Sequence, residues 1–143
     1  MKKILLLLTA FFFQSTLFAS TYSLNVKVDN LKNKKGDLIV LLYNKVGSIP
    51  DEKLTKFFKK KTIPLNSTSA EVTFDDLSKG DYAVVVVHDE NKDHKIDKGL
   101  FLPKEGVGFS NFKSISPLNK PNFKRASFLL DKDLTKQIKV IYF

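Results

Sequence analysis

The sequence contains no cysteine and only two histidines, His88 and His94. Without cysteine the fold cannot be held by disulfide bonds, so its stability has to come from an apolar core, with or without a bound ion. A zinc or copper site is weakly supported, because there is no thiolate and no third imidazole to complete one. We therefore expect His88 to be a hydrogen-bonding residue rather than a metal ligand.

Arginine is almost absent as well. Arg125 is the only one, although lysine is abundant enough to give a formal net charge of +9. Nucleic acid is a poor candidate partner, because bidentate recognition of phosphate and guanine favours arginine. The excess of lysine fits an ordinary lysine-rich surface and, alternatively, a surface that binds anionic lipid, lipopolysaccharide or acidic glycans.

Long apolar runs are missing except at the N-terminus. There Lys2 and Lys3 precede the apolar segment Ile4–Phe13, and Leu17–Ala19 offers a small-residue cleavage site. This order is typical of a secretory signal peptide, and the run is shorter than the roughly 20 residues that span a bilayer. We expect residues 1–20 to be a signal peptide and 21–143 a single domain without a transmembrane segment, in a protein that is periplasmic or secreted.

The remaining chain alternates apolar and polar residues with a period of two, which is typical of half-buried strands. Two runs, Leu38–Leu42 and Tyr82–Val87, are apolar on both faces and therefore predict central strands. Alternating or apolar stretches also occur at residues 22–28, 70–74, 127–130 and 136–143. Together they predict an all-β fold, an antiparallel β-sandwich of about seven strands.

One segment has helical spacing instead. The residues Ile49–Glu52 suit a first helical turn, and Leu54, Phe57 and Phe58 then share one face, with lysines between and after them. The pattern predicts one short crossover helix that ends at Lys61. Its lysines form the candidate surface for binding anionic envelope material.

The segment from Asp89 to Asp97 carries oxygen-bearing groups at alternate positions. In calcium loops, ligands at positions 1, 3, 5, 7 and 9 surround the ion, with a backbone carbonyl at position 7 and a bidentate carboxylate at position 12. The corresponding oxygens here belong to Asp89, Asn91, Asp93, the Lys95 carbonyl and Asp97. This spacing predicts a calcium loop.

Two positions depart from that pattern. Position 6, normally glycine, is His94, and histidine tolerates a positive φ angle better than most residues. Position 12 is Leu100, so we expect Glu105 to fold back and replace the missing carboxylate. The prediction is weak calcium binding, with a Kd of about 10⁻⁴ to 10⁻³ M. The alternative is a polar loop whose side chains accept hydrogen bonds from their own backbone in Asx-turns.

A glycine-containing segment, Gly106–Asn111, follows the ion loop. It contains neither the lysine of a phosphate-binding loop nor the Gly-x-Ser-x-Gly of a nucleophile elbow. We predict a loop that packs against the ion loop through Phe109 and is ordered by the ion. A hydrolytic enzyme using Ser110 and His88 at these loops is the alternative, but no convincing catalytic constellation is present, so no catalytic residue is assigned.

Three motifs in combination resemble one protein family. They are Leu77…Gly80-Asp81-Tyr82, His88-Asp89-Glu90-Asn91 and Pro103-Lys104-Glu105-Gly106…Gly108-Phe109-Ser110-Asn111. Over nearly all of residues 21–143 the chain resembles the exported bacterial family called domain of unknown function 2141. The resemblance implies a small sandwich similar to transthyretin-like and carboxypeptidase-regulatory-like domains. It implies no catalytic residues, because the family has no assigned activity.

The family's loop usually resembles Asp-x-Asn-x-Asn-Gly-Lys-x-Asp, and here Asp93 and His94 stand at the Asn-Gly positions, which adds a charged ligand. The transthyretin-like fold also includes a purine-pathway hydrolase with several histidines and a Tyr-Arg-Gly-Ser tail. This chain ends Val-Ile-Tyr-Phe, so that activity is not implied. The sequence thus predicts an exported β-sandwich binding or accessory module for an unknown protein or glycan ligand, with a weak Ca²⁺ loop.

Overall fold

The computed structural model describes residues 20–96 and 103–143. The expected signal peptide, apart from Ser20, lies outside these residues, and so does Asp97 of the expected ion loop. Within them the elements are, in chain order, β1 (Thr21–Asp29), β2 (Asp37–Tyr43), β3 (Lys59–Pro64), β4 (Ala70–Ser78), β5 (Gly80–Asp89), β6 (Gly106–Phe109), α1 (Phe123–Ala126), β7 (Phe128–Leu130) and β8 (Leu134–Lys139). No helix in this described part is long and apolar enough to cross a membrane.

The strands form two sheets, which confirms the predicted all-β sandwich. One sheet has the order β4-β1-β8 and the other has the order β3-β2-β5-β6, with β7 also paired to β5. Eight strands are described where about seven were expected, and one pair differs from the antiparallel prediction. Strands β1 and β8 run parallel, with Leu24 opposite Leu134. Parallel pairing needs a connection longer than a hairpin, and the chain reaches β8 from β7, which pairs with β5 of the other sheet.

The main core lies between the two sheets. Alternation along β1 turns one face of the strand inward, and the matching faces of β2, β4, β5 and β8 meet it. The fully buried members include Leu24, Val26, Leu38, Val40, Leu42, Phe74, Leu77, Val84, Val86 and Ile138. At about 25 cal/mol per Å² of apolar surface buried, this cluster is the main source of folding free energy in a chain without disulfide bonds.

A second apolar cluster covers the opposite face of the larger sheet. Side chains that point away from the main core, from β2 and β5, are Ile39, Leu41, Tyr43, Ala83, Val85 and Val87. They are covered by apolar side chains from two irregular segments, 44–58 and 110–126, rather than by a third sheet. This second layer explains why β2 and β5 are apolar on both faces, and it confirms that they are central strands.

The predicted helix over residues 49–61 is wrong. Residues 44–58 form turns, and Lys59–Pro64 is strand β3, which pairs with β2. The Asp51 carboxylate accepts hydrogen bonds from the Lys56 backbone N–H (2.7 Å) and the Tyr43 hydroxyl (3.1 Å), and Leu54 has a φ of 51°. The Asp51 side chain thus takes over a backbone donor that a helix would use, and its apolar neighbours cover the second cluster as a coil.

Candidate metal centre

The site lies where strands β5 and β6 leave the larger sheet. In the antiparallel register of this pair, His88 is opposite Gly106, so the next residues outward, Asp89 and Glu105, are neighbours across the two strands. Each strand therefore delivers one carboxylate to the same end of the sheet. The sequence suggested that Glu105 folds back toward the loop, and the strand register is what brings it there.

Three carboxylates converge at this end of the sheet. Oxygen atoms of Asp89, Asp93 and Glu105 all lie within 4.8 Å of one another. Asp89 is 0% exposed and Glu105 is 5% exposed, whereas Asp93 is on the surface. Two buried carboxylates at this separation repel each other and lack bulk water, so a cation between them is favoured.

Backbone amides hold the loop around these oxygens. Both oxygens of Asp89 accept hydrogen bonds, Oδ1 from the Asp93 N–H (3.2 Å) and Oδ2 from the His94 N–H (2.9 Å). Asn91 Oδ1 accepts from the Asp93 N–H (3.0 Å), and Asp93 Oδ1 accepts from the Lys95 N–H (2.9 Å). These are the Asx-turn bonds expected of a purely polar loop. They leave carboxylate lone pairs for a further ligand, because each carboxylate has about four acceptor sites.

The loop is tightly wound at two residues with left-handed backbone conformation. Lys92 has a φ of 62° and His94 a φ of 60°. His94 occupies the position at which the calcium-loop pattern requires the sharp turn, so its backbone adopts the conformation that glycine normally supplies there. The His94 Nδ1 atom also lies 3.5 Å from Asp89 Oδ2.

The turn between β1 and β2 packs closely against the start of the ion loop at Asp89. Gly36 has a φ of 75°, and a Cβ atom at this position would lie 1.9 Å from the Asp89 carbonyl oxygen. Only glycine therefore permits this close approach. The contact was not anticipated from the sequence, where the one available signal was a glycine at the end of a polar turn.

Two ion pairs hold the loop against the same turn. Lys92 Nζ lies 3.1 Å from Asp37 Oδ1, and Lys32 Nζ lies 2.8 Å from Glu90 Oε1. The hydrogen bond from Lys32, assisted by one from Asn33, lowers the pKa of Glu90 below its usual value. These flanking carboxylates are thus neutralised by lysines.

His88 is fully buried next to the site and uses both ring nitrogens. Nε2 can only donate to the Lys35 carbonyl (2.8 Å), so in the neutral ring Nδ1 accepts from the Tyr142 hydroxyl (2.6 Å). That hydroxyl accepts in turn from the Lys32 N–H (3.0 Å). His88 therefore links the C-terminal segment to the turn under the loop, and no sequence signal identified Tyr142 as its partner.

Gly106–Phe109 is strand β6 rather than the expected loop. A Cβ at Gly106 would meet the Tyr142 ring at 2.3 Å, and one at Gly108 would meet Ile138 at 2.8 Å, so both glycines allow close packing under the C-terminal strand. The Phe109 ring packs against the second apolar cluster, with its centroid 6.1 Å from that of Phe112. The segment is therefore ordered by strand pairing and packing.

Ser110 and His88 are not arranged as a nucleophile and its base. The Ser110 hydroxyl donates to the Ala126 carbonyl (2.6 Å) and accepts from the Val84 N–H (2.9 Å). Since His88 lies four residues beyond Val84 on β5, it is about 13 Å away along the strand. Ser110 instead joins β5 to helix α1.

The lysines of strand β3 are largely engaged within the fold. Lys59 and Lys61 donate to the Asp75 and Thr73 carbonyls of β4. Their ammonium groups also lie over the rings of Phe58 and Phe74, at 5.9 and 5.6 Å from the ring centroids. These lysines bridge the outer strands of the two sheets.

No curated protein and no solved structure matches this chain. A family model with the description "uncharacterized protein conserved in bacteria (DUF2141)" matches residues 26–138. The matched region contains most of the sandwich, together with Asp89, Asp93 and Glu105. Because the match covers most of the chain, the resemblance seen in the sequence motifs is confirmed, and the protein belongs to the bacterial family called domain of unknown function 2141.

Proposed function

We propose that this protein is an exported β-sandwich binding module in which a calcium ion is held by Asp89, Asp93 and Glu105. The observation that carries the proposal is the burial of Asp89 and Glu105 with their oxygens within 4.8 Å of each other and of Asp93. A divalent cation at the centre of the three oxygens removes their mutual repulsion and replaces the lost hydration of the buried pair.

The chemistry of the donors favours calcium over other divalent ions. All the donors are oxygens, which suit hard cations, whereas zinc and copper prefer nitrogen or sulfur. His88, the nearest buried nitrogen ligand, already uses both ring nitrogens. Calcium accepts six to eight oxygens in a flexible arrangement, and magnesium demands a near-ideal octahedron. The Asn91 amide, the Lys95 carbonyl and Asp97 are the further donors that the loop sequence offers.

The ion would bind at both ends of the connection between β5 and β6. Strand β5 ends at Asp89 and β6 begins at Gly106, so Asp89 is the last residue of one strand and Glu105 directly precedes the other. Calcium bound to both holds the ends of the two strands together and orders loop residues 90–96 as part of a surface for a protein or glycan ligand. The site lacks the position-12 carboxylate of a helix-loop-helix loop, and we expect a Kd of about 10⁻⁴ to 10⁻³ M, as in extracellular modules.

Export rests on the N-terminal sequence. Residues 1–20 have the order of a secretory signal peptide, and the absence of cysteine suits a fold that depends on its core and a bound ion. Millimolar calcium outside the cytosol would be sufficient to load a site of this affinity.

Thermal unfolding with calcium and with chelator tests the site. If the Kd is about 0.5 mM, calcium at about 10 mM adds about 1.8 kcal/mol to the free energy of unfolding and raises the midpoint by several degrees. The shift is expected to disappear in Asp89→Asn and Glu105→Gln and to persist in Asp81→Asn, a matched change at an exposed carboxylate at the other end of β5. An equal midpoint for the wild type with calcium and with chelator would refute the site, and a larger shift with magnesium than with calcium would refute the choice of ion.

A further inference from the structure

A cleft with mainly polar lining residues lies in the region that follows Ser110. Its volume is about 480 Å³, and its lining residues are Asn111, Phe112, Lys113, Ser114, Asn119 and Arg125. The Ser110 backbone N–H donates to the Val84 carbonyl (2.9 Å), five residues before Asp89 on β5, so the cleft begins about 17 Å from the metal centre. Its properties are therefore independent of the proposed calcium site.

The only arginine of the chain lines this cleft in a fixed position. The Arg125 guanidinium lies over the Phe112 ring, 5.2 Å from its centroid. Its two terminal nitrogens donate to the Lys120 carbonyl (3.3 Å) and to Asn119 Oδ1. Asn119 is itself held by a bond from Nδ2 to the Ser114 carbonyl (2.8 Å). A guanidinium has five N–H donors, so donors remain for a ligand. Because the Arg125 side chain is already held in place, little side-chain entropy is lost when a ligand binds.

The surroundings of Arg125 are basic and contain no acidic neighbour in sequence. Residues 106–130 include Lys113, Lys120, Lys124 and Arg125 but no Asp or Glu. Among the residues that the structure describes, no carboxylate forms an ion pair with Arg125, whereas Lys32 and Lys92 are paired with Glu90 and Asp37. Positive charge is thus concentrated and not neutralised at this cleft.

A fully exposed apolar side chain stands beside the basic cleft. Leu118 is 99% exposed at the tip of a tight turn that is closed by the hydrogen bond from the Asn119 N–H to the Ser116 carbonyl (2.9 Å). An apolar tip between lysines is typical of surfaces that touch the boundary between headgroups and acyl chains.

We propose that this cleft binds a phosphate group, with Arg125 as the bidentate donor and Lys113 as a second positive charge. The planar guanidinium matches two phosphate oxygens, and no ion pair with a carboxylate of the described residues neutralises its charge. A soluble phosphate ester and the headgroup of an anionic phospholipid share this chemistry. With a phospholipid, Leu118 would enter the boundary of the acyl chains while Arg125 holds the phosphate.

Titration with sodium phosphate at constant ionic strength and in the presence of chelator tests the phosphate site without calcium. We expect saturable binding that falls at least tenfold in Arg125→Gln and severalfold in Lys113→Gln, and stays unchanged in Lys27→Gln, which removes an exposed lysine on β1. Arg125→Lys keeps the positive charge but loses the planar, bidentate guanidinium, so we expect its affinity for phosphate to lie between those of the wild type and Arg125→Gln. Lys113→Gln keeps the test valid if the arginine variants do not fold.

Cosedimentation with vesicles identifies the source of the phosphate. Binding to phosphatidylglycerol-containing vesicles and not to pure phosphatidylcholine, lost in both Arg125→Gln and Leu118→Ser, supports the lipid. Phosphate binding that persists in Leu118→Ser without any vesicle binding supports a soluble ester. The proposal is overturned if neither phosphate nor vesicles bind, or if Lys27→Gln weakens binding as much as Arg125→Gln.

Discussion

At the residue scale, Gly36 next to the candidate metal centre is a position that only glycine can occupy. Its positive φ angle and its closeness to the Asp89 carbonyl mean that the turn between β1 and β2 fits under the loop only without a side chain. The position of Asp89, on which the proposed site depends, is therefore set partly by a residue that carries no ligand.

Replacing Gly36 is expected to disturb both stability and calcium binding. Gly36→Ala should lower the free energy of unfolding by about 3 kcal/mol or more, because the added Cβ clashes with backbone atoms and alanine is strained at this φ. Gly47→Ala is the matched control, since Gly47 has a φ of 80° but no atom within 4 Å of an added Cβ, and should lose only about 1 kcal/mol. Urea unfolding of both variants measures the difference, and equal losses would contradict the clash.

At the element scale, β3 lies at one edge of the larger sheet and β4 at one edge of the smaller sheet, and lysines of β3 cover the edge of β4. Outer strands present unpaired backbone groups, and lysine is a common means of preventing edge-to-edge association. Here Lys59 and Lys61 point toward β4 and donate to two of its carbonyls, two residues apart on its outer edge.

Removal of these two lysines is expected to weaken the sandwich and expose its edges. The double variant Lys59→Ala, Lys61→Ala should lose about 1 to 2 kcal/mol of stability, since each bond is partly exposed, and should self-associate. The control is Lys60→Ala, whose ammonium lies over Phe57 instead of donating to β4. Analytical ultracentrifugation and chemical unfolding test this, and a monomeric double variant with wild-type stability would contradict the role of the lysines.

The elements show which parts of the fold a sequence pattern can specify. Strands β2 and β5 were predictable, because burial on both faces requires apolar residues at every position. The helix predicted over residues 49–61 did not form, although its apolar residues have helical spacing. The Asp51 carboxylate accepts a hydrogen bond from the Lys56 backbone N–H, and residues 59–64 pair with β2 as a strand.

The candidate site was predictable to a similar extent. Local spacing identified Asp89 and Asp93, two of the three carboxylates that converge, because the turns of this loop are encoded within a few residues. The supporting contacts of Gly36 with Asp89 and of Tyr142 with His88 join distant segments, and only the register and packing of the sheets create them.

At the scale of the whole molecule, tyrosine hydroxyls join the sheets to the irregular segments that pack on them, as in the bonds of Tyr43 to Asp51 and of Tyr142 to His88. Burial, with the nearby Asp51 carboxylate, raises the pKa of Tyr43. Burial also raises the pKa values of Tyr82 and Tyr142. The folded state thus holds protons that the unfolded chain releases above its tyrosine pKa of about 10.

Stability is accordingly expected to fall at alkaline pH. Because the folded-state pKa values are raised, the contribution of these hydroxyls is complete below about pH 10 and is lost as the pH rises further. Tyr43→Phe should lose about 1 to 2 kcal/mol at neutral pH, since it removes the hydrogen bond to buried Asp51, but should show a shallower alkaline decline than the wild type. Urea unfolding between neutral pH and pH 11 measures both, with Tyr22→Phe as the control, and an identical decline in Tyr43→Phe would contradict this assignment.

The parallel pairing of β1 with β8 has a kinetic consequence. Leu24 pairs with Leu134, so the first and last described strands of the chain lie side by side in the smaller sheet. The chain between these two strands must be brought together, at a cost in conformational entropy, before their contacts can stabilise the fold. Such a high contact order slows folding to the order of milliseconds to seconds. The smaller sheet therefore remains incomplete until β8 has formed, and until then the edge of β1 that pairs with β8 is open to other chains.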